Sequence, residues 1–455
     1  MNIKQIKQQS YTEQKDLEAV VAQAIEIAKR KVDSVEVGIN KSTGINVSTR
    51  LGETENIEFN SDGVLGITVY QDNQKGNAST NDLSPQAIEH AINMAIEIMK
   101  YTSPDPYSGL GDKSQMAFDS LDLDLFHPSD LNVDHAIKQA AKAEATALDY
   151  AEIKKSDGGY FNSSYGIRVY GNSEGMLQGY RASSHSLSCC VIGEREGHME
   201  RGYAYTSSRD IAALKSAEDI GLEAAQKTVS HLGARQINTM QVPVLFSPDV
   251  ATGLIGHLAS AISGGAIYKK SSFLLDSIGK TILPTWLTIK ELPHLLRGVG
   301  SSPFDSDGIR TFDKDIITHG VLQTYLLSCY SARKLSTPQK PLKSTANAGG
   351  IHNWQLLTDN DTQTFEQLVK TMDKGIVVTS LMGQGVNLVT GDYSRGASGF
   401  WVENGVIQYP INEFTVAGNL NHIYQNIVAI GNDIETRKSI QCGSILIEQM
   451  SIAGK

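Results

Sequence analysis

One arrangement occurs twice in the first half of the chain: an amphipathic helix, a group of alternating strand-like runs, then a second amphipathic helix. Leu17, Val20, Val21, Ala24, Ile25 and Ala28 keep helical spacing, as do Ile88, Ala91, Ile92, Ala95, Ile96 and Met99 behind the start signal Ser84-Pro85. Between them VDSVEVGINK, INVSTRL and VLGITVYQD alternate apolar and polar residues as half-buried strands do. The pattern returns with a helix expected from about Val133 to Leu148 behind Ser129 and Asp130, and another from about Ile211 to Val229 with a stop at Gly233. SYGIRVYGN, SHSLSCCVIG and RGYAYTS lie between those two. The units even end alike, because KGNAST at 75–80 and RGYAYT at 201–206 share basic-Gly-x-Ala-x-Thr. Each helix has one apolar stripe and must lay it on a sheet, so residues 1–235 are expected to form an α/β domain with an internal duplication.

The segment joining the units, SPDPYSGLGDKSQMAFDSLDLDLFHPSD, is rich in Pro, Gly, Asp and Ser and reads as a loop. After Met240 the texture changes to short strands: PVLFSP, IITHGVLQTYLLSCY, GIVVTSLMG, VNLVTGD, GFWVENGVIQYPI and SILIEQMSIAG. HGVLQTY and NGVIQYP read as hairpins turning at Gly320 and at Asn404-Gly405. Two helices are expected to interrupt this half, one from about Pro248 to Ile262 and one around Phe365, Leu368, Val369 and Met372. The fold class that follows is α+β, with a β-rich domain over 240–455.

Charge and cysteine usage narrow the function. Forty basic and fifty acidic side chains leave a net charge of −10, which repels a phosphate backbone and argues against direct nucleic-acid binding. No run of about 18 apolar residues is present to span a membrane. Cys189, Cys190, Cys329 and Cys442 match neither a disulfide framework nor a CxxC zinc pattern, and reduced thiols fit a cytoplasmic location.

The expected helix at 248–262 is the most informative stretch for chemistry. Val250, Leu254, Leu258 and Ala261 form its buried face, and His257 lies about 20° from Val250 on the helical wheel and so points inward. A hydrolytic zinc helix needs about three protein ligands in all and a carboxylate base for the water. Here Leu258 stands where the carboxylate would be, and Ala261 and Ile262 stand where a second histidine would be. Ser331-Ala332-Arg333-Lys334 satisfies S-x-x-K, but its companion S-D-N and K-T-G elements are missing. Gly383-Gln384-Gly385 lacks the third glycine of a dinucleotide loop, and Asp305-Ser306-Asp307-Gly308 lacks the distal Glu of a calcium loop.

GLIGHLASAISGGAIYKKSSFLLDSIGK, GSSPFDSDGIRT, YSARKL, TGDYSRGASGFWVENG, FTVAGNLNHIY and GNDIETRKSIQCGS together resemble the PmbA (TldE) branch of the TldD/PmbA family, once called modulators of DNA gyrase. The resemblance implies a heterodimer that works as a zinc metalloprotease on peptides and unfolded segments, with the zinc in a TldD-type partner. The family's zinc helix reads H-E-x-x-x-H, with a cysteine near the C-terminus. Carried over, His257 matches the first histidine, Leu258 replaces the glutamate, Ile262 replaces the second histidine and Cys442 matches the cysteine. The implied reading is a non-zinc subunit with no catalytic, cofactor or metal residue of its own, His257 and Cys442 being the remaining candidates. Segments Tyr393–Ser398 and Asn419–Tyr424 are expected as loops on the chamber or interface surface, and a homodimer is open when the partner is absent. Two other readings stay open: an autonomous hydrolase with Cys442 or Ser331 as nucleophile, and a non-enzymatic modulator of a topoisomerase.

Overall fold

The computed structural model describes residues 2–119 and 121–454. The N-terminal half contains, in order, α1 (Ile3–Ala28), β1 (Ser34–Arg50), β2 (Glu53–Gln71), β3 (Gln74–Thr80), α2 (Pro85–Lys100), α3 (Val133–Leu148), β4 (Ile153–Asn172), β5 (Leu177–Arg195), β6 (His198–Ser208) and α4 (Ala217–Ser230). The six strands form one antiparallel sheet in the order β3-β2-β1-β4-β5-β6. Each helix–strands–helix unit contributes three consecutive strands, and the two units meet where β1 pairs with β4, from Glu36 opposite Asn172 to Thr49 opposite Gly159.

All four helices cover the same face. α1 and α2 enclose Val35, Val37, Ile39, Leu65, Ile67 and Val69. α3 and α4 enclose Ile45, Val47, Phe161, Leu187 and Val191. Ala136, Ala140, Ala143 and Ala147 of α3 have no exposed surface, and their small size lets α3 press on both neighbours. A Cβ at Gly221 of α4 would stand 2.2 Å from Ala143 O. The open face of β4 and β5 receives loops of the C-terminal half: Arg168 donates to Ser306 Oγ at 3.2 Å, and Tyr170 Oη to Asp307 O at 3.2 Å.

The sequence placed the elements and misplaced several ends. VDSVEVGINK and INVSTRL belong to one strand, because the polar stretch between them is paired on both sides. α1 starts at Ile3 because Asn2 and Gln5 form a capping box there. Asn132, beyond Ser129 and Asp130, caps α3. Ile211–Ala213 is a separate 3-10 turn, and Ser216 starts α4.

The C-terminal half continues with β7 (Met240–Phe246), α5 (Pro248–Ala261), α6 (Gly264–Tyr268), β8 (Leu287–Glu291), β9 (Lys314–Thr318), β10 (Val321–Leu322) and α7 (Cys329–Leu335). Then follow β11 (Trp354–Thr358), α8 (Phe365–Met372), β12 (Gly375–Met382), β13 (Val386–Asn387), β14 (Asp392–Glu403), β15 (Val406–Asn419), α9 (Leu420–Gln425), β16 (Ile427–Ile430), β17 (Ile440–Gln441) and β18 (Ile445–Ala453). This is the expected β-rich half, and the class is α+β. α6, α7 and α9 add to the two helices expected there, each short and started by a local cap, from Ser263, Ser328 and Asn419. Both hairpins form, β9–β10 around Gly320 and β14–β15 around Asn404-Gly405. One sheet runs β12-β7-β18-β15-β14-β13, and because β12 also pairs with β14 the strands close into a ring. α8 packs Leu368, Val369 and Met372 with Leu245, Val377, Val402 and Leu446. The residues that alternate with these, Val244, Phe246, Ile376 and Val378, pack in the same core as α5.

Candidate functional site

α5 follows β7 directly, with Ser247 N–H bonded to Val378 O at 3.0 Å and Pro248 in the first helical turn. Its apolar side is fixed in the core: Leu258, Ala261 and the following Ile262 have no exposed surface. Its other side is small, Gly253, Gly256 and Ser260. His257 stands between the two, half-buried, with its ring edge-on to Tyr393 at 5.9 Å between centroids. Among the described residues His257 Nε2 is buried without a hydrogen-bond partner, and so is the Tyr393 hydroxyl. Burial, then the nearby Arg395 charge, lowers the His257 pKa, so the ring is neutral at pH 7. Burial pushes Tyr393 up to about 12.

Cys442 lies in the turn between β17 and β18 with no exposed surface. Burial pushes its thiol up to about 12 despite the opposing Lys438 charge. The donor set does not fit zinc. A tetrahedral site needs about three convergent protein ligands, and α5 offers His257 alone, with Leu258 and the following Ile262 locked in the core. Among the described residues no three His, Cys, Asp or Glu side chains converge on one point. Ser331 is a capping residue: its Oγ accepts from Ser328 N at 2.9 Å, closing the N-terminal turn of α7. Lys334 turns away from it, its ammonium lying over the Tyr107 ring at 4.7 Å.

The two segments expected as loops are regular structure. Tyr393–Ser398 belongs to β14, held by pairing with β15 from Tyr393 opposite Gly418 to Ala397 opposite Phe414. Asn419–Tyr424 is the end of β15 and α9, and Tyr424 donates to Leu254 O at 2.8 Å, tying α9 to α5.

Two cavities flank the small side of α5. One, about 620 Å³, is lined by Gly256, Ser260, Ser263, Lys269, Asn347 and Leu388 among others. The second, also about 620 Å³, lies at the helix start against Thr379, Leu381, Arg395, His231, Tyr205 and Lys227. β12 pairs with β7 only through Ile376–Val378, so the β7 side of Thr379–Met382 is unpaired among the described residues. A helix face of small residues beside an open strand edge is a seat for an extended chain, whose backbone can complete the edge.

The start of α5 is also one of the places where the two halves of the molecule meet. Arg437 Nη2 donates to Asp249 Oδ1 at 3.0 Å, and Arg437 Nη1 to Tyr205 O of β6 at 2.7 Å. The guanidinium lies 4.1 Å from the Tyr205 ring centroid and also bonds both oxygens of Glu435. Burial raises the Glu435 pKa, but the hydrogen bonds and charge of Arg437 more than offset it and hold the carboxyl at about 2. Asp249 goes the other way, raised by burial and by its neighbour Glu435. Sequence reasoning missed this junction and the Tyr393 ring. The only hint was the acid-x-acid-x-base run Asp433, Glu435, Arg437 inside GNDIETRKS.

Family comparisons match the whole arrangement. Residues 35–99 match the PmbA/TldA metallopeptidase domain 1, residues 126–232 its central domain and residues 239–454 its C-terminal domain. The Metalloprotease PmbA of Escherichia coli O157:H7 is 57% identical over 444 residues, 97% of each chain. A Bacteroides thetaiotaomicron protein solved as a modulator of DNA gyrase superposes with a TM-score of 0.89 at 27% identity, covering 96% of this chain and 98% of that one. TldE from Thermococcus kodakarensis shares the fold, with a TM-score of 0.82 at 21% identity over 96% of this chain and all of that one (100%). With three domain matches in chain order and more than half its residues identical to a curated relative, the chain belongs to the PmbA/TldD metallopeptidase family.

Proposed function

We propose that this chain is the non-zinc subunit of a TldD/PmbA-type metallopeptidase, working beside a zinc-bearing partner and shaping a chamber that admits extended, unfolded peptide. The observation that carries the reading is α5 itself. It keeps His257 half-buried against the Tyr393 ring while Leu258 and Ile262, in the places of the base and the second ligand, are sealed in the core. The groove along its small side and the free edge of β12 support peptide binding, since an extended chain presents the backbone groups that such an edge lacks. Nucleophilic hydrolysis by this chain alone is disfavoured, because Cys442 is fully buried and Ser331 is engaged in a helix cap.

The test is hydrolysis of a disordered peptide by the purified chain, by a TldD-type partner and by the two mixed, each with and without a chelator. The expected result is chelator-sensitive cleavage that needs the partner and rises when this chain is added. Chelator-insensitive cleavage by this chain alone would favour the autonomous hydrolase, and no cleavage in any mixture would favour a binding modulator. His257→Ala in the mixed complex should keep activity within about threefold of wild type, because a neutral ring without hydrogen bonds contributes packing and little else. A drop of several orders of magnitude in a folded variant returns His257 to the reaction.

A further inference from the structure

The two repeats of the N-terminal sheet are covered unequally. β2 and β5 occupy matching places in the strand order, and each is paired on its outer side along only part of its length. β6 takes His185–Arg195 of β5, and β3 takes Leu65–Gln71 of β2. The rest of β5 is dressed by other segments. On the helix face Gln14 of α1 donates to Gly179 O at 3.0 Å, and Arg181 donates to Lys7 O and Ser10 Oγ of α1 at 3.3 and 3.2 Å. Along the outer edge runs the inter-repeat linker, with Gln178 donating to Phe118 O at 2.5 Å and Ser183 N to Leu125 O at 2.9 Å.

Among the described residues the matching part of β2 has neither cover. α3 is 16 residues long where α1 has 26, and it packs on β1, β4 and β5 while barely touching β2. Every residue from Glu53 to Phe59 is exposed, including Ile57 at 42% and Phe59 at 65%. Ile57 and Phe59 sit opposite Val47 and Ile45, whose side chains are buried under the helices, so they continue the apolar helix face outward. Glu58 and Asp62 alternate with them and lie on the other face. Between Glu53 and Val64 there are four acids, Glu53, Glu55, Glu58 and Asp62, and no base.

We infer that Glu53–Gly63 is a docking edge for a basic, extended segment of another polypeptide, which adds to the sheet outside β2. The pattern specifies the occupant. Its apolar residues cover Ile57 and Phe59, and its Lys or Arg residues, at the alternate positions, face Glu58 and Asp62. A second copy of this chain fits poorly, because in any register self-pairing brings four acids on one edge to four on the other with no base among them. Charges on an edge blunt indiscriminate pairing. Here they do so while leaving two large apolar side chains uncovered, and the result is selectivity. The inference is independent of the reading of α5.

The experiment uses the full chain and two labelled peptides, one alternating lysine with valine and one alternating glutamate with valine. The lysine peptide should bind and slow hydrogen exchange at amides within residues 53–63. The exposed pair of changes Glu58→Lys and Asp62→Lys, in a variant with an unchanged circular dichroism spectrum, should weaken that peptide about tenfold or more and strengthen the glutamate peptide. Equal binding of both peptides, protection only elsewhere, or self-association of the wild-type chain that protects the same amides would each overturn the proposal.

Discussion

A thiol without exposed surface, in a turn walled by strands, reacts slowly whatever its neighbours. Cys442 should resist iodoacetamide at neutral pH in the native chain and react promptly in denaturant, and mass spectrometry after timed quenching reads the difference. Fast, selective labelling of the native chain would contradict its burial. Glu435 makes a pH prediction. Its carboxyl is at about 2 in the fold, against about 4.3 when exposed, so the depressed value stabilises the native state above the unfolded value. That contribution is lost as pH falls below the unfolded carboxylate range, with the raised Asp249 beside it offsetting part of it. Arg437→Ala should therefore lower the melting temperature at pH 7 and flatten its decline between pH 5 and 3, as seen in thermal melts across pH. At this scale the sequence was least informative: it identified Leu258 and Ile262 as residues that cannot bind metal, but not which ring His257 meets. Tyr393 and Glu435 are far from His257 and Asp249 in the chain, and only the closure of β14 and the return of the chain at Arg437 bring them near.

Elements were more legible, because periodicity and turn chemistry are local. Asn404 and Gly405 have φ of 54° and 67°, the left-handed pair that a tight two-residue hairpin turn requires. Gly405→Ala adds a Cβ to a conformation that L residues avoid and sets it 3.1 Å from Lys370 Cα. A cost of about 1–2 kcal/mol is expected, measured as a shift in urea midpoint; an unchanged midpoint would mean the turn relaxes freely. The short helices escaped the sequence for the same local reason. α7 and α9 have 7 and 6 residues, too few to show a repeat of apolar positions, and only their caps announce them. Strand length escaped it for the opposite reason. β1 crosses a polar stretch, Asn40–Gly44, that looks like a break until β2 and β4 are seen to pair on both sides of it.

In the whole molecule the class and the β-rich second half were readable in advance, while the joining of the two repeats into a single sheet was not, since no local pattern encodes which strands meet. That meeting has a consequence in time. β1 and β2 are joined by a tight turn at Leu51-Gly52 and can zip from there, whereas β1 and β4 join Glu36 to Asn172, with about 136 residues of chain between them. Closing so long a loop is a late and slow event, and a chain of this size is expected to populate partly folded forms on the way. Pulse-labelled hydrogen exchange during refolding should find the β1–β2 hairpin protected in an early phase and the β1–β4 seam in a later one. Simultaneous protection would mean that the halves assemble in a single cooperative step. Until that seam closes, β1 and β4 are both unpaired edges with apolar faces, so two chains refolding at high concentration can close it with each other's halves. Yield should then fall as refolding concentration rises, with exchanged dimers among the products.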